Sequence, residues 1–290
     1  MICEICPRLC RAERTSEKGG GICRMPAGLV VARAMLHQWE EPCLSGTNGA
    51  GCIFFSGCNL GCVFCQNGKI SHENFGKVIT PEHLREIMDG LVAQGAHCID
   101  LVSPTHFTPW ILPALKKPLS VPVVWNCGGY ERVETLQTLA GKVQIYLPDL
   151  KYALDAPAQE LSKAGDYFEV AAVAIDEMVR QVGPYQIGDD GLMKSGVIIR
   201  HLVLPGQLEN TRRVIDYVSA HFAPGTVLFS LMSQYTPQSG ASGALSRRLN
   251  HAEYRAAVEY LRACGITDGF CQELSSAKEE YTPVFDLSGV

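Results

Sequence analysis

With 290 residues, of which 47% are hydrophobic, the chain is long enough to bury a full core, as one large α/β domain or a domain with a small appendage. A formal net charge of -5 argues against a surface that coats nucleic acid, which would be basic. No charged-then-apolar leader follows Met1 and no unbroken apolar run could span a bilayer, so a cytoplasmic protein with no membrane or nucleic-acid partner is expected.

The first 28 residues read as loop and carry Cys3, Cys6, Cys10 and Cys23, with the turn Gly19-Gly20-Gly21 before the last of them. Thirteen cysteines are many for a reducing compartment, where thiols serve as metal ligands or small buried apolar groups rather than disulfides. The spacing C-x2-C-x3-C-x12-C suits either an iron–sulfur cluster or a four-thiolate zinc knuckle folding a segment that has no core of its own. Residues 1–28 are therefore read as a small Cys-rich metal-binding segment, 29–50 as a connecting segment and 51–290 as the main domain with a C-terminal extension. Within the connection, Trp39-Glu40-Glu41-Pro42 reads as a packed turn with no evident chemistry.

From about Gly51 onward, short β-branched runs alternate with helical patterns, the signature of a parallel sheet. Six strands are expected, over 52–56, 98–102, 121–125, 143–147, 197–203 and 227–231. Thr80-Pro81 opens a helix that buries Leu84, Ile87, Met88 and Leu91 and closes at Gly95. Phe168, Ala171, Ile175, Met178 and Val182 stripe a second helix, and Asn250 with Glu253 forms the capping box of a third. The segment 183–196 reads as a surface hairpin or loop. Six strand–helix units are fewer than the eight of a closed barrel, so an incomplete (β/α)6 parallel barrel is expected. A doubly wound open sheet is the other option.

In such folds the chemistry gathers where strands end at their carboxyl edge. Each expected strand ends in polar residues: Cys58 after the first, Thr105 and His106 after the second, and Asn126 with Cys127 at the third. Asp149 and Lys151 follow the fourth, Arg200 and His201 sit on the fifth, and Ser233-Gln234-Tyr235 ends the sixth. Side-chain alternation puts Asp149 and Lys151 on one face, and makes one of Arg200 and His201 face inward and the other outward. Cys58, Cys62 and Cys65 form C-x3-C-x2-C within eight residues. Three thiols are odd for disulfides and one short of a closed zinc site; they suit a cubane iron–sulfur cluster with one iron left for a non-protein ligand.

The stretches FFSGCNLGCVFCQN, YLPDLKY, RHLVLPG and FSLMSQYTP, in that order between about residues 51 and 270, resemble the radical S-adenosylmethionine (radical SAM) superfamily. Within it the chain is similar to the pyruvate formate-lyase activating enzyme group, which activates glycyl radical enzymes. The resemblance implies that Cys58, Cys62 and Cys65 ligate a [4Fe–4S] cluster whose open iron is chelated by the amino and carboxylate groups of S-adenosylmethionine. Reductive cleavage would then give a 5′-deoxyadenosyl radical that takes hydrogen from a substrate. By position, Asp149 and Lys151 match the group's cofactor-contacting D-x-K. Arg200 matches an arginine near the methionine carboxylate and ribose, and Asn126 a polar residue near the ribose. The group's Gly-Gly-Glu after the second strand is replaced by Ser103-Pro104-Thr105-His106, so Thr105 or His106 is expected to supply a contact without a carboxylate. The usual His-Asn after the third cysteine is Gln66-Asn67. The resemblance further implies a flavodoxin- or ferredoxin-type electron donor. It also implies a substrate that is a glycine of a partner protein, with a peptide or small molecule as the alternative. A second iron–sulfur cluster or zinc would lie at Cys3, Cys6, Cys10 and Cys23. Outside enzymes, an iron–sulfur electron carrier or sensor and a zinc-stabilised binding module stay open.

Overall fold

A computed structural model describes residues 1–276 and 283–290. Ten strands appear among them: β1 Leu29–His37, β2 Ala50–Phe55, β3 Lys77–Ile79, β4 Ile99–Val102, β5 Val123–Cys127, β6 Ile145–Pro148, β7 Gln186–Ile187, β8 Met193–Leu202, β9 Leu228–Met232 and β10 Gly269–Cys271. All six expected strands are present as β2, β4, β5, β6, β8 and β9. The sheet order is β10-β9-β8-β6-β5-β4-β2-β1-β3, and every neighbouring pair from β10 to β2 is parallel. This is an α/β fold with a mostly parallel sheet. Strands β1 and β3 add an antiparallel edge, and β7 folds back on β8 as the hairpin expected over 183–196.

The segment read as a connection is in fact largely strand. Leu29, Val31 and Ala32 are fully buried, and Arg33 interrupts an otherwise apolar run, so period-two alternation gave no signal there. Being antiparallel to β2, β1 leaves its last residue opposite the first of β2 (His37 with Ala50). The chain after β1 therefore enters at the end of the sheet opposite the cysteine loop.

The helices follow their predicted stripes. Pro81–Ala93 is capped by the Thr80 side chain, which accepts from the His83 N–H, and buries Leu84, Ile87, Met88 and Leu91. Tyr167–Val182 buries Ala171, Ala174, Ile175 and Met178 against the sheet, and His251–Ala263 begins with the complete Asn250/Glu253 capping box. No helix among the described residues is long and apolar enough to cross a membrane.

The amino-terminal segment docks onto the domain through two arginines. Arg8 donates to the carbonyls of Asn59 (2.8 Å) and Ser162 (2.7 Å). Arg14, 1% exposed, donates to the His106 carbonyl at 2.6 Å and lies 4.5 Å from the Trp110 ring centroid. Contact is close enough to dictate residue type. Gly57 has φ +77°, and a Cβ there would come within 2.5 Å of Met25 Cγ.

Candidate active site

Residues from both ends of the sheet, Gln38 to Pro42 after β1 and Phe270 of β10, line one cavity of about 590 Å³, so the sheet curls around it. Among the described pairings none joins β10 to β1 or β3. Cys58, Cys62 and Cys65 stand at one end of this cavity, and Asn126, Asp149, Lys151 and Arg200 line it too. Thr105 and His106 also reach it. Strand ends widely separated in sequence thus converge as expected of a parallel sheet.

Each of the three sulfurs has a hydrogen-bond donor. The Leu60 N–H lies 3.3 Å from Cys58 Sγ, Ser162 Oγ donates to Cys62 Sγ at 3.0 Å, and Ser71 Oγ donates to Cys65 Sγ at 3.3 Å. Burial, partly countered by the Lys151 ammonium, pushes the Cys62 thiol up to about 12; burial also raises the Cys65 thiol. A metal at this loop must therefore displace protons that the protein holds firmly. Phe64 is buried and also lines the cavity, its ring 6.5 Å edge-on from Tyr152. Gln66, standing where histidine is usual, donates to the Gln234 carbonyl at 2.7 Å and ties the loop to the segment after β9.

A chain of charged and polar groups crosses the cavity wall. Lys151 Nζ donates to Asp149 Oδ2 at 2.5 Å, and Arg200 Nε donates to Asp149 Oδ1 at 3.0 Å. Arg200 Nη2 reaches Asn126 Oδ1 at 2.6 Å, and Asn126 Nδ2 in turn reaches Asp100 Oδ2 at 3.1 Å. Arg200 Nη1 lies 3.4 Å from Glu40 Oε2. Burial works to raise Asp149, but Lys151 and Arg200 outweigh it and hold the carboxyl below its ordinary value. Gly128 and Gly129 shape the adjoining turn. Gly129 has φ +76°, and a Cβ there would sit 2.1 Å from the Asp149 carbonyl.

Arg200 is the member of its pair that faces the cavity. His201 points the other way, with Nδ1 2.7 Å from the Leu150 carbonyl and Nε2 3.0 Å from Thr211 Oγ1. The carbonyl can only accept, so Nδ1 carries the proton and Thr211 donates to Nε2. Burial lowers His201 to about 4. Its folded value is thus below its unfolded value of about 6.5. The stability it contributes is complete above that value and is lost as pH falls toward 4. Relative to His201→Gln, the wild type is expected to lose about 2 kcal/mol between pH 7 and pH 5. Urea unfolding of both proteins at the two pH values measures the difference, and parallel shifts would show that the imidazole titrates freely.

Thr105 and His106 line the cavity, with one polar atom of each already engaged. Thr105 Oγ1 donates to Glu131 Oε1 at 2.5 Å, and His106 Nε2–H donates to the Ser56 carbonyl at 2.7 Å, bracing the strand that leads into Cys58. Burial lowers His106 to about 3, so it is a neutral donor. Four carboxylates escaped the sequence reading. Glu131 is buried beside Thr105 and raised by that burial to about 8. Asp100 is fully buried mid-strand, and Glu40 and Glu41 enter the cavity from the β1 exit. A charge inside Ile99-Asp100-Leu101-Val102 was a legible signal for Asp100; Glu40 and Glu41 stood out only as a packed turn, and nothing local marked Glu131.

Among the described residues, the trio whose ligand atoms all lie within 4.8 Å of one another is Glu40, Cys52 and Asp100. Cys3, Cys6 and Cys23 are buried and Cys10 is exposed, with Arg14 Nη1 3.9 Å from Cys3 Sγ.

No family model matches the chain. It is 30% identical over 276 residues to the uncharacterized protein MJ0674 of Methanocaldococcus jannaschii, covering 89% of this chain and 73% of that protein. Among solved structures, SuiB of Streptococcus suis bound to S-adenosylmethionine superposes with a TM-score of 0.53 at 12% identity, covering 77% of this chain and 50% of that one. The hydrogenase maturase HydG of Carboxydothermus hydrogenoformans superposes at 0.51 with 15% identity, covering 80% and 56%. The chain spans about half the length of these solved proteins. At such identities the likeness is one of fold.

Proposed function

The chain belongs to the family of the uncharacterized protein MJ0674 of Methanocaldococcus jannaschii, and from that premise we propose that it is a radical SAM enzyme. The observation that carries this reading is the cysteine loop: three sulfurs at one end of a polar cavity, each with its own hydrogen-bond donor, and no fourth thiol in the loop. The donor set fits a [4Fe–4S] cluster held by Cys58, Cys62 and Cys65: three thiols from one short loop, each with a hydrogen-bond donor, would leave one iron for a ligand that is not protein. When bound, the cluster and S-adenosylmethionine supply one-electron reduction of the sulfonium and a radical that abstracts hydrogen.

The chain's own residues position and shield. Leu60 N–H, Ser71 and Ser162 donate to the sulfurs and so tune the cluster potential. Asp149 accepts from Lys151 and Arg200, which fixes all three side chains before a ligand arrives. Asn126 spends its Oδ1 on Arg200 and its Nδ2 on Asp100, so it holds the guanidinium in place and meets the cosubstrate only by exchanging one of those bonds. Thr105 and Glu131 form a buried pair near the position of the missing family glutamate. His106 positions the loop.

The finer reading keeps an incomplete barrel with an open side, a reductant of flavodoxin or ferredoxin type, and a protein or peptide substrate. SuiB has also been solved bound to the precursor peptide SuiA, which favours a peptide over a free small molecule. A glycyl radical target rests on sequence resemblance. At the amino terminus Cys3, Cys6, Cys10 and Cys23 would hold a second iron–sulfur cluster or a zinc ion. Anaerobic iron and sulfide quantification, coupled to a 5′-deoxyadenosine assay with reduced protein, tests the main reading. Iron-replete protein that releases no 5′-deoxyadenosine would instead indicate an electron carrier.

A further inference from the structure

Trp39-Glu40-Glu41-Pro42 has no role in the chemistry described so far, yet three of its residues and the proline line the cavity. The carboxylates lining the cavity are Glu40, Glu41 and Asp149, against the permanent cations Lys151 and Arg200. Both cations are committed. Lys151 Nζ is on Asp149, and the three guanidinium nitrogens of Arg200 are on Asp149, Asn126 and Glu40. His106, also lining the cavity, donates to a backbone carbonyl and is held neutral by burial. His37 is likewise disfavoured as a cation by burial. Glu41 is left over. It is 8% exposed, and its Oε2 is buried with no hydrogen-bond partner.

A buried carboxylate oxygen without a partner costs free energy unless something binds it. A metal ion is a poor candidate, because Arg200 Nη1 stands 3.4 Å from the neighbouring Glu40 carboxylate and would repel it. The charged groups of S-adenosylmethionine are poor candidates too, since the proposed cluster draws them to the cysteine end. Glu41 enters from the opposite end. The exit of β1 faces the start of β2, and six residues at roughly 3.3 Å each place the two strand ends on the order of 20 Å apart. Trp39, 59% exposed, sits at the mouth on this side, and Phe270 of the other sheet edge faces the same cavity.

We propose that this end of the cavity is a substrate subsite for a cationic group, an ammonium or a guanidinium, seated on Glu41. This deepens the radical SAM reading and rests on it for the identity of the ligand as substrate. The subsite itself is tested by binding alone. Isothermal titration of the reconstituted, S-adenosylmethionine-loaded protein is run with Nα-acetyl-lysine amide, n-pentylamine and the neutral Nα,Nε-diacetyl-lysine amide. The charged probes are expected to bind at least tenfold more tightly than the neutral one, and Glu41→Gln is expected to remove that preference. A stronger response to the lysine amide assigns the cation to a peptide side chain, and a stronger response to pentylamine assigns it to a free amine. Equal binding of charged and neutral probes to the wild type overturns the proposal. So does a Glu41→Gln variant whose affinity for S-adenosylmethionine falls by the same factor as that for the amines, since the carboxylate would then serve the cosubstrate. Charge-selective binding by a protein that never cleaves S-adenosylmethionine would leave the subsite standing and reject the enzymatic reading.

Discussion

Cys62→Ala is expected to lose essentially all cleavage of S-adenosylmethionine, roughly 100-fold or more, together with the iron of the principal cluster. Even partners that only hydrogen-bond a metal ligand cost about 10- to 100-fold when removed, so loss of a ligand sets the larger effect. Ser162→Ala separates the two roles. It keeps the sulfur but removes the 3.0 Å hydroxyl donor, so its cluster should assemble with a lowered reduction potential and slower cleavage. Cys62 lies 6% exposed beneath the loop, and alanine there leaves a small space rather than a clash, so the variant should fold. The measurements are anaerobic iron and sulfide content, electron paramagnetic resonance of the reduced protein, and 5′-deoxyadenosine release. Wild-type turnover by Cys62→Ala would remove the mechanism.

Local patterns made much of this legible. Six strands, three helices and two helix caps follow from periodicity and from Thr80, Pro81, Asn250 and Glu253, because those signals act within a few residues. The cysteine loop and the Asp149, Lys151 and Arg200 positions were legible for another reason. Parallel topology forces strand ends together, so polar residues at strand ends become neighbours without any knowledge of contacts. What stayed hidden depends on an antiparallel turn of the chain. Strand β1 carries no alternation, and only its reversed direction brings Glu40 and Glu41 under the same sheet. Thr105 and His106 line the cavity, yet their contacts could not be read locally. Their positions were right, but Glu131 and the Ser56 carbonyl, far off in sequence, had already claimed their polar atoms.

The second large effect concerns Arg200, whose guanidinium is the common partner of Asn126 on β5, Asp149 just after β6 and Glu40 in the loop after β1. Its side chain is 14% exposed, as is that of Asp149, and Glu40 is 11% exposed. Arg200→Met preserves most of the volume but strands Glu40 beside Asp100, both already raised by burial, and leaves Asp149 with Lys151 alone. Breaking a buried pair by removing one partner costs about 3–5 kcal/mol, because the remaining charge stays desolvated. Urea unfolding of the variant is expected to show a loss of that order. Glu40→Gln in the same background should recover part of it, since the stranded charge is then gone; the difference between this effect and that of Glu40→Gln alone is the coupling energy of the pair. The same variant should bind S-adenosylmethionine more weakly, with Asp149 no longer fixed from two sides. A loss below about 1 kcal/mol, the range of exposed ion pairs, would mean that water reaches the cavity wall. The electrostatic isolation on which both the cosubstrate grip and the Glu41 subsite depend would then be absent.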